Sequence, residues 1–286
     1  MPELPEVETI RQDLRQKIVG KKIEDLKLSK KARLNKSQKF FVDFLVGNHF
    51  AEIDRIGKLI IFILPDEKHV MLVHLKMTGQ LIYKKDDKII PGGHNDVSTV
   101  DVPNKHTHVQ FHFSDGSKVF FNDIRRFGYL SLEPIEKLEN IKSKYGIEPL
   151  TPNFTWENFA KIFAGKKSTI LKALLLNQQI ISGLGNIYVD EVCFDAGVRP
   201  DRRVNTLTLA ELKKLFASTK KIIKKAVDER GTTFNNYVDG DGKQGNFVKF
   251  LKVYGQGGEE CMKCKNILKK TKVGGRGTVY CEKCQH

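Results

Sequence analysis

The sequence predicts an α+β protein, with a mostly β N-terminal domain behind a leading helix, then a helical domain and a cysteine-bearing hairpin. Residues 23–132 contain short apolar runs separated by turn residues, a pattern typical of strands. Residues 151–231 instead show capping residues ahead of apolar stripes with helical spacing. A chain of 286 residues also exceeds one ordinary domain, which has roughly 100–200 residues.

The leading helix is predicted from almost the first residue. Pro5 suits the first helical position, and Glu6 and Glu8 interact favourably with the positive end of the helix dipole. Apolar residues recur on one face of this helix, at Val7, Ile10, Leu14 and Ile18. Gly20 is expected to end it.

Strands are predicted for the apolar runs at 59–64, 70–75, 109–113 and 118–121. The last two runs are joined by Ser-Asp-Gly-Ser at 114–117, which indicates a β-hairpin. Because a sheet must bury its apolar face against another layer, we expect two packed sheets, a β-sandwich over residues 1–132.

The segment 133–150 is charged and short of strand signals, and we interpret it as an interdomain linker. Four helices are predicted beyond it, opened by Thr155, Ser168, Asn186 and Thr208 and closed near Ala164, Gln178, Gly197 and Gly231. Glu211 completes a capping box with Thr208. The helical domain is expected to span 151–245, and a cysteine-bearing ribbon 246–286.

The charge of the chain predicts a polyanionic partner. Lys and Arg number 49 against 34 Asp and Glu, and the basic residues are clustered. No acid interrupts the stretches 26–42 and 158–189, which carry Lys27, Lys30, Lys31, Arg33, Lys36, Lys39, Lys161, Lys166, Lys167 and Lys172. Nucleic acid is favoured over a membrane surface, because each neutralised phosphate releases condensed counterions.

The sequence shows no membrane or secretory signal. The longest apolar run, 59–64, is far shorter than the roughly 18 residues that indicate a membrane span. The first residues are acidic and proline-rich rather than basic and then apolar. We therefore expect a cytoplasmic protein.

Four of the five cysteines form a pattern typical of a zinc ribbon. Two C-x-x-C pairs, Cys261 with Cys264 and Cys281 with Cys284, are separated by sixteen residues. Disulfides are the alternative, but a reducing compartment disfavours them. Four thiolates leave no open position on the metal, so the zinc is predicted to be structural. The fifth, Cys193, lies in an apolar stretch and is expected to be buried and inert.

Two loops each have two interpretations. Gly183-Leu-Gly-Asn186 precedes a predicted helix and offers free amides to a phosphate, but it is equally compatible with an ordinary tight turn. Residues 122–128, Asn-Asp-Ile-Arg-Arg-Phe-Gly, either form an ordinary loop or carry a wedge, with Phe127 inserted into a duplex.

The amino terminus itself is a candidate nucleophile. Methionine before a residue such as proline is normally trimmed, which would expose the secondary amine of Pro2. Such an amine can attack an aldehyde-level carbon and form an iminium ion, which serves as an electron sink. The helix that follows should lower the pKa of this amine, whereas Glu3 and Glu6 oppose that change.

Together these motifs resemble the formamidopyrimidine-DNA glycosylase family over essentially the whole chain. The matching pieces are residues 2–9, Gly57-Lys58, His74–Gly79, Asn122–Gly128, Ser182–Tyr188, Gly240–Lys243 and the four cysteines. The resemblance implies a β-sandwich, a helix–two-turn–helix domain and a zinc ribbon, with damaged double-stranded DNA bound in the cleft between domains. The zinc ribbon needs one structural Zn²⁺, and no nucleotide cofactor is expected. Because no stretch of the sequence indicates a dimer interface, we expect a monomer.

The resemblance further implies roles for individual residues. Pro2 would be the Schiff-base nucleophile at the sugar C1′, and Glu3 the acid that helps to open the ribose. Lys58 would bind phosphate and transfer a proton in β-elimination, and Arg276 would grip phosphate and assist δ-elimination. The gap left by the flipped nucleotide would be filled by Met77, Arg126 or Arg125, and Phe127. Contacts to the DNA backbone would come from His106, Arg125, Lys166 and Asn186. The loop over 236–245 would cover the extruded base.

The expected substrates are oxidised purines, namely 8-oxoguanine and formamidopyrimidines, with lyase activity at the resulting abasic site. Two alternatives stay open: a relative of endonuclease VIII that acts on oxidised pyrimidines, and a non-enzymatic DNA-binding protein. Leu4 favours the purine branch, because the endonuclease VIII group typically has glycine there. Thr78, where some relatives carry a carboxylate, and Glu260, where many have proline, depart from the family pattern.

Overall fold

The computed structural model describes residues 1–66, 68–90, 92, 101–166, 168–232 and 246–286. The chain forms two compact units. The N-terminal unit comprises Met1–Ser143 and Arg230–Asn246, and the C-terminal unit comprises Lys144–Glu229 and Phe247–His286. Among the helices of the described ranges, none combines the length and apolarity needed to cross a membrane.

The N-terminal unit contains helix α1 (Leu4–Ile18) and two antiparallel sheets. The five-stranded sheet, in the order β1-β7-β8-β5-β6, is formed by β1 (Ile23–Leu28), β5 (Gly79–Lys85), β6 (Lys88–Ile90), β7 (Thr107–Phe113) and β8 (Lys118–Asp123). The four-stranded sheet, in the order β2-β3-β4-β9, is formed by β2 (Glu52–Ile56), β3 (Leu59–Ile63), β4 (His69–His74) and β9 (Tyr129–Pro134). Buried apolar residues of both sheets and of α1 form one core. The predicted sandwich with a leading helix is confirmed.

The predicted hairpin at 114–117 joins β7 and β8 in antiparallel register, with Phe111 opposite Val119. Gly116 adopts a positive φ of 79° in this turn, a conformation that glycine enters without steric cost.

Helix α2 (Gln38–Leu45) is a correction, because the sequence pattern predicted strands throughout this part of the chain. The Ser37 side chain caps the helix by accepting a hydrogen bond from the backbone N–H of Phe40. Phe41 and Leu45, one helical turn apart, are buried in the core. Residues 38–45 therefore form a helix despite their strand-like composition, because apolar residues four positions apart can be buried on one helical face.

The segment 133–150 contains regular structure. Strand β9 extends to Pro134, and helix α3 (Glu136–Lys142) follows it. The two compact units divide after Ser143. Beyond that point Ile147 pairs with Ile181 of the C-terminal unit.

Three of the four predicted helices of the C-terminal unit are confirmed. These are α4 (Trp156–Ala164), α6 (Asn186–Ala196) and α7 (Leu209–Asp228). Thr155 caps α4, Gly197 ends α6 in the left-handed conformation, and Thr208 with Glu211 forms a capping box on α7.

The start of helix α5 (Leu171–Leu176) was predicted wrongly. Ser168 does not cap it, because the chain from 168 to 171 is held by the segment 202–204. The backbone N–H of Leu171 donates to the carbonyl of Arg202 at 2.8 Å, and the Arg203 guanidinium donates to the Ser168 carbonyl at 2.7 Å. These tertiary hydrogen bonds replace the first helical turn.

The C-terminal unit ends in an antiparallel hairpin of β10 (Lys269–Val273) and β11 (Arg276–Tyr280). Residues 230–232 and 246 instead belong to the N-terminal unit, although 151–245 was predicted as one domain. The reason is a contact with α1. The Glu6 carboxylate accepts hydrogen bonds from the backbone N–H of Thr232 at 2.8 Å and from the Thr232 hydroxyl at 2.9 Å. Arg230 also pairs with Asp13 of α1 at 2.5 Å.

Candidate active site and zinc centre

The predicted nucleophile lies at the buried start of α1. Pro2 and Glu3 immediately precede the helix, and both are buried. Glu3 is the N-cap residue, and its backbone N–H donates to the Glu6 carboxylate at 2.8 Å. The capping box therefore fixes the backbone next to Pro2 and directs the positive end of the helix towards it.

The pKa of the amino-terminal amine is lowered at this position. In the full chain the amine belongs to Met1, and burial lowers its pKa. The negative charges of Glu3 and Glu6 oppose the change, whereas the positive charge of Lys58 contributes to it. An amine with a lowered pKa carries a larger neutral fraction at neutral pH, and only the neutral form is nucleophilic.

Lys58 lies in the tight turn between β2 and β3, where Ile56 pairs with Leu59. Gly57 takes a positive φ of 54° in this turn, which explains the glycine before the lysine. Lys58 is only 5% exposed, and its charge acts on His74 as well as on the amino terminus. Burial, Lys76 and Lys58 lower the pKa of His74 to about 3, so this imidazole is neutral.

The loop 124–127 is exposed between two buried anchors. Phe127 is 43% exposed, and the Arg125 guanidinium lies over its ring, 4.8 Å from the centroid. Arg126 is also exposed and adopts a positive φ of 57°. Phe127 lies outside the core, which is compatible with a wedge and equally with an ordinary loop that carries one exposed phenylalanine.

Asp123 organises this loop, and sequence reasoning missed it. Its carboxylate accepts hydrogen bonds from the backbone N–H of Arg125 at 3.2 Å, from that of Gly128 at 2.6 Å and from the Thr78 hydroxyl. The Asp123 N–H donates to the His106 carbonyl at 3.0 Å. The structure thus brings His106 and the partly exposed segment around Met77 next to the loop. The signal in the sequence was an acidic residue, Asp123, within a motif that otherwise carries two arginines.

In the C-terminal unit, Asn186 and the hairpin residue Arg276 are brought together. Asn186 opens α6, and its side-chain N–H₂ donates to the carbonyl of Gly277 at 3.0 Å. Arg276 is exposed at the start of β11. Lys166 lies exposed beyond the end of α4. The predicted loop over 236–245 lies outside the described residues.

A buried ion pair supports the same hairpin, and the sequence did not reveal it. Lys172 is fully buried and donates to the Asp190 carboxylate at 2.6 Å and to the Gly277 carbonyl at 2.9 Å. The other Asp190 oxygen accepts the Val279 N–H at 3.1 Å. Burial outweighs these donors and raises the pKa of Asp190 to about 6.

The four cysteines that were predicted to bind zinc lie close together in the structure. All four Sγ atoms lie within 4.8 Å of one another, with 3.5 Å between Cys264 and Cys281 and 3.9 Å between Cys261 and Cys284. Tetrahedral zinc with Zn–S bonds of about 2.3 Å places its sulfurs roughly 3.8 Å apart. The cysteines are unbridged and pack on Phe194, Val253, Leu268 and Val279. They hold one structural zinc. Cys193, outside the cluster, is fully buried as predicted.

Three family models match the chain in sequence. The formamidopyrimidine-DNA glycosylase N-terminal domain matches residues 1–130, the H2TH domain of the same enzyme matches 145–237, and a zinc finger found in FPG and IleRS matches 258–286. The chain belongs to the formamidopyrimidine-DNA glycosylase family. It is therefore a DNA-repair glycosylase with a helix–two-turn–helix domain and a zinc finger, as the motifs indicated.

Relatives of this family resemble the chain over nearly its whole length. The formamidopyrimidine-DNA glycosylase of Brevibacillus brevis is 40% identical over 269 residues, which covers 92% of this chain and 91% of the relative. That of Carboxydothermus hydrogenoformans is 40% identical over 270 residues, covering 94% and 93%.

Two solved structures of the Lactococcus lactis enzyme are similar in fold. A point mutant of that enzyme in complex with a Fapy-dG containing DNA superposes with a TM-score of 0.87 at 32% identity. The enzyme in complex with an abasic site containing DNA gives a TM-score of 0.86 at 31% identity. Both matches cover 99% of this chain and 99% of the other.

Proposed function

We propose that this glycosylase removes oxidised purines, 8-oxoguanine and formamidopyrimidines, from duplex DNA and then cleaves the abasic strand by β,δ-elimination. The observation that carries the proposal is the buried amino terminus, where Pro2 and Glu3 lie within reach of the positive charge of Lys58. Burial lowers the pKa of the Met1 amine at this place, and we expect the same effect on the Pro2 amine once Met1 is removed. The Lactococcus lactis complexes with Fapy-dG and abasic DNA support the choice of substrate.

In the proposed first step, the lone pair of the Pro2 nitrogen forms a bond to C1′ of the sugar. The glycosidic bond breaks, its electrons leave with the base, and the base takes up a proton. Glu3 supplies a proton to the ring oxygen, so that the ribose opens and a cationic iminium joins Pro2 to C1′. This iminium withdraws electrons from C2′, which makes the C2′ proton acidic.

In the elimination steps, loss of the C2′ proton releases the 3′ phosphate, and a second elimination releases the 5′ phosphate. Lys58 is assigned to phosphate binding and proton transfer in the first elimination. The exposed guanidinium of Arg276 is assigned to the phosphate that leaves in the second. The excess of 49 basic over 34 acidic residues favours binding of the duplex, and a monomer suffices for this scheme.

Phe127 is assigned to the gap that opens when the damaged nucleotide leaves the stack. Flipping a base costs a few kcal/mol of unstacking, which an inserted aromatic ring offsets. Phe127→Ala should therefore lower base excision from intact duplex far more than cleavage at a pre-formed abasic site. Equal changes in both activities would instead assign Phe127 to an ordinary exposed loop.

Borohydride trapping tests the nucleophile. During turnover on 8-oxoguanine duplex, borohydride should reduce the iminium and leave DNA attached to residue 2, with Met1 absent in the mass spectrum. An N-terminal tag should abolish excision and strand cleavage but leave duplex binding intact. Trapping on Lys58, or full activity of an acetylated amino terminus, would overturn the mechanism. Excision of thymine glycol in preference to 8-oxoguanine would instead assign the chain to oxidised pyrimidines.

A further inference from the structure

Glu8 is a buried carboxylate of α1 for which the proposed chemistry has no use. It accepts four hydrogen bonds: two from Arg11, at 2.6 and 3.0 Å, one from Gln12 at 2.8 Å and one from Arg55 of β2 at 2.9 Å. Its side chain is 10% exposed and that of Arg55 is 6% exposed. Burial alone would raise the pKa of Glu8, but these donors lower it to about 2, so the carboxylate is ionised.

Arg55 makes a second contact with the turn that carries Lys58. Its Nη1 donates to the carbonyl of Gly57 at 2.8 Å, while its Nε holds the Glu8 carboxylate. One planar guanidinium therefore joins the leading helix to the peptide unit that precedes Lys58. A lysine at this position could not span both acceptors in a fixed geometry, because its single ammonium lacks the rigid fork.

We propose that Glu8 and Arg55 are positioning residues, which hold the Gly57–Lys58 turn at a fixed place relative to the amino terminus that α1 carries. The inference rests on the proposed function, because it assigns Lys58 and the Pro2 amine to one reaction. It explains why a buried ion pair joins the second turn of α1 to β2.

The chain offers a matched control. Arg15 and Glu52 also join α1 to β2, at 3.3 Å, but both side chains are about half exposed. Exposed pairs contribute little to stability and fix geometry poorly. Arg15→Lys is therefore the matched control for Arg55→Lys. It makes the same substitution in another ion pair between α1 and β2, and it leaves the contact between Arg55 and Gly57 unaltered.

Two measurements test the proposal. The first is single-turnover cleavage of an abasic duplex at saturating protein, which removes binding from the rate. The second needs no DNA: the pH midpoint of reductive methylation of the amino terminus by formaldehyde and cyanoborohydride, located by mass spectrometry. In the full chain, burial is the main cause that lowers the pKa of the Met1 amine; Glu3 and Glu6 raise this pKa, and Lys58 lowers it. Removal of Met1 leaves the Pro2 amine next to the same charged residues.

Arg55→Lys should slow single-turnover cleavage about tenfold or more, since small misplacements of reacting groups have large kinetic effects. The affinity for abasic duplex should stay within about twofold, because neither residue is assigned to DNA contact. The methylation midpoint should rise, because Lys58 is no longer held beside the amine. Arg15→Lys should change neither measurement.

Glu8→Gln keeps the shape of the side chain and guards against misfolding as an explanation. It should shift both measurements in the same direction, and the double variant with Arg55→Lys should be no slower than Arg55→Lys alone, because the two residues act as one unit. Unchanged values in Arg55→Lys, or equal changes in Arg15→Lys, would overturn the proposal. A wild type that cleaves no abasic DNA, with the midpoint still shifted in Arg55→Lys, would sink the proposed function but support the positioning role.

Discussion

Each unit has a buried ion pair next to a residue that is assigned to phosphate, but the pKa of the carboxylate is lowered in one pair and raised in the other. In the N-terminal unit Arg55 pairs with Glu8 and donates to the carbonyl just before Lys58. In the C-terminal unit Lys172 pairs with Asp190 and donates to the carbonyl of Gly277, just after Arg276. Each buried cation thus fixes one peptide unit next to a residue that is assigned to phosphate.

The two carboxylates differ in their burial and in the number of donors that each receives: the Glu8 side chain is 10% exposed, whereas that of Asp190 is fully buried. Glu8 accepts four hydrogen bonds from three charged or amide side chains, and its pKa falls to about 2. Asp190 accepts one ammonium and one backbone N–H, and burial raises its pKa to about 6. One ammonium and one backbone N–H do not compensate for the full burial of Asp190, whereas four hydrogen bonds do compensate for the less complete burial of Glu8.

The largest expected effect concerns the metal, which the C-terminal unit has and the N-terminal sandwich lacks among its described residues. Cys281→Ser should lose the zinc and nearly all duplex affinity, because the ribbon has few apolar residues and metal binding supplies its folding free energy. The N-terminal unit should stay folded. Elemental analysis measures the zinc content, and limited proteolysis shows whether the N-terminal unit stays folded. Cys193→Ser, which changes a buried thiol outside the cluster, should keep one zinc per chain.

The second largest effect is expected for the buried pair of Lys172 and Asp190. Lys172→Met should lower the free energy of unfolding of the C-terminal unit by about 3–5 kcal/mol, because it leaves a buried carboxylate without its cation. Adding Asp190→Asn should restore much of this loss. Lys269→Met, which breaks the exposed pair with Glu282, should change the free energy of unfolding far less, because solvent screens this pair. Urea titrations with a spectroscopic probe in each unit measure these free energies of unfolding. Similar losses of stability in Lys172→Met and Lys269→Met would contradict the comparison.

A pH titration sharpens the contrast between the two carboxylates. Glu8 has its pKa lowered from 4.5 to about 2, so it contributes stability above pH 4.5 that is lost as the pH falls towards 2. The contribution is about 3 kcal/mol. Asp190, whose pKa is raised, acts in the opposite direction, because its ionisation costs stability as the pH rises from 4 to 6.

Glu8→Gln should therefore flatten the acid limb of the stability–pH curve of the N-terminal unit below pH 4.5. Glu52→Gln, which removes an exposed carboxylate of the same unit, should leave that limb in place. An acid limb of unchanged slope in Glu8→Gln would show that other carboxylates control unfolding at low pH.

The smallest effect concerns the residue that the Lys172 pair supports. Arg276→Ala should weaken binding to damaged and undamaged duplex alike and reduce the slope of log K against log salt by about 0.9, the value of one phosphate contact. Arg15→Ala removes one exposed positive charge from α1 and should leave the slope unchanged. Fluorescence anisotropy at several salt concentrations measures both. An unchanged slope in Arg276→Ala would assign this arginine elsewhere.

Features that depend on residues close along the chain could be predicted from the sequence alone. The C-x-x-C pairs specify the metal ligands, because two thiolates three positions apart can bind one ion. Thr155, Gly197 and the Thr208–Glu211 box specify helix ends, because capping hydrogen bonds span only three or four residues. The β7–β8 hairpin follows from its four-residue turn.

Contacts between distant residues required the folded structure. Glu8 meets Arg55 across 47 positions, Lys172 meets Gly277 across 105, and Thr232 returns to Glu6 across 226. Helices α2 and α5 belong to this class as well, because burial of one face and hydrogen bonds from residues 202–204 set their limits. Such pairs leave no periodic signal in the sequence. Their free energy comes from burial and from partners that meet only once the two units have folded.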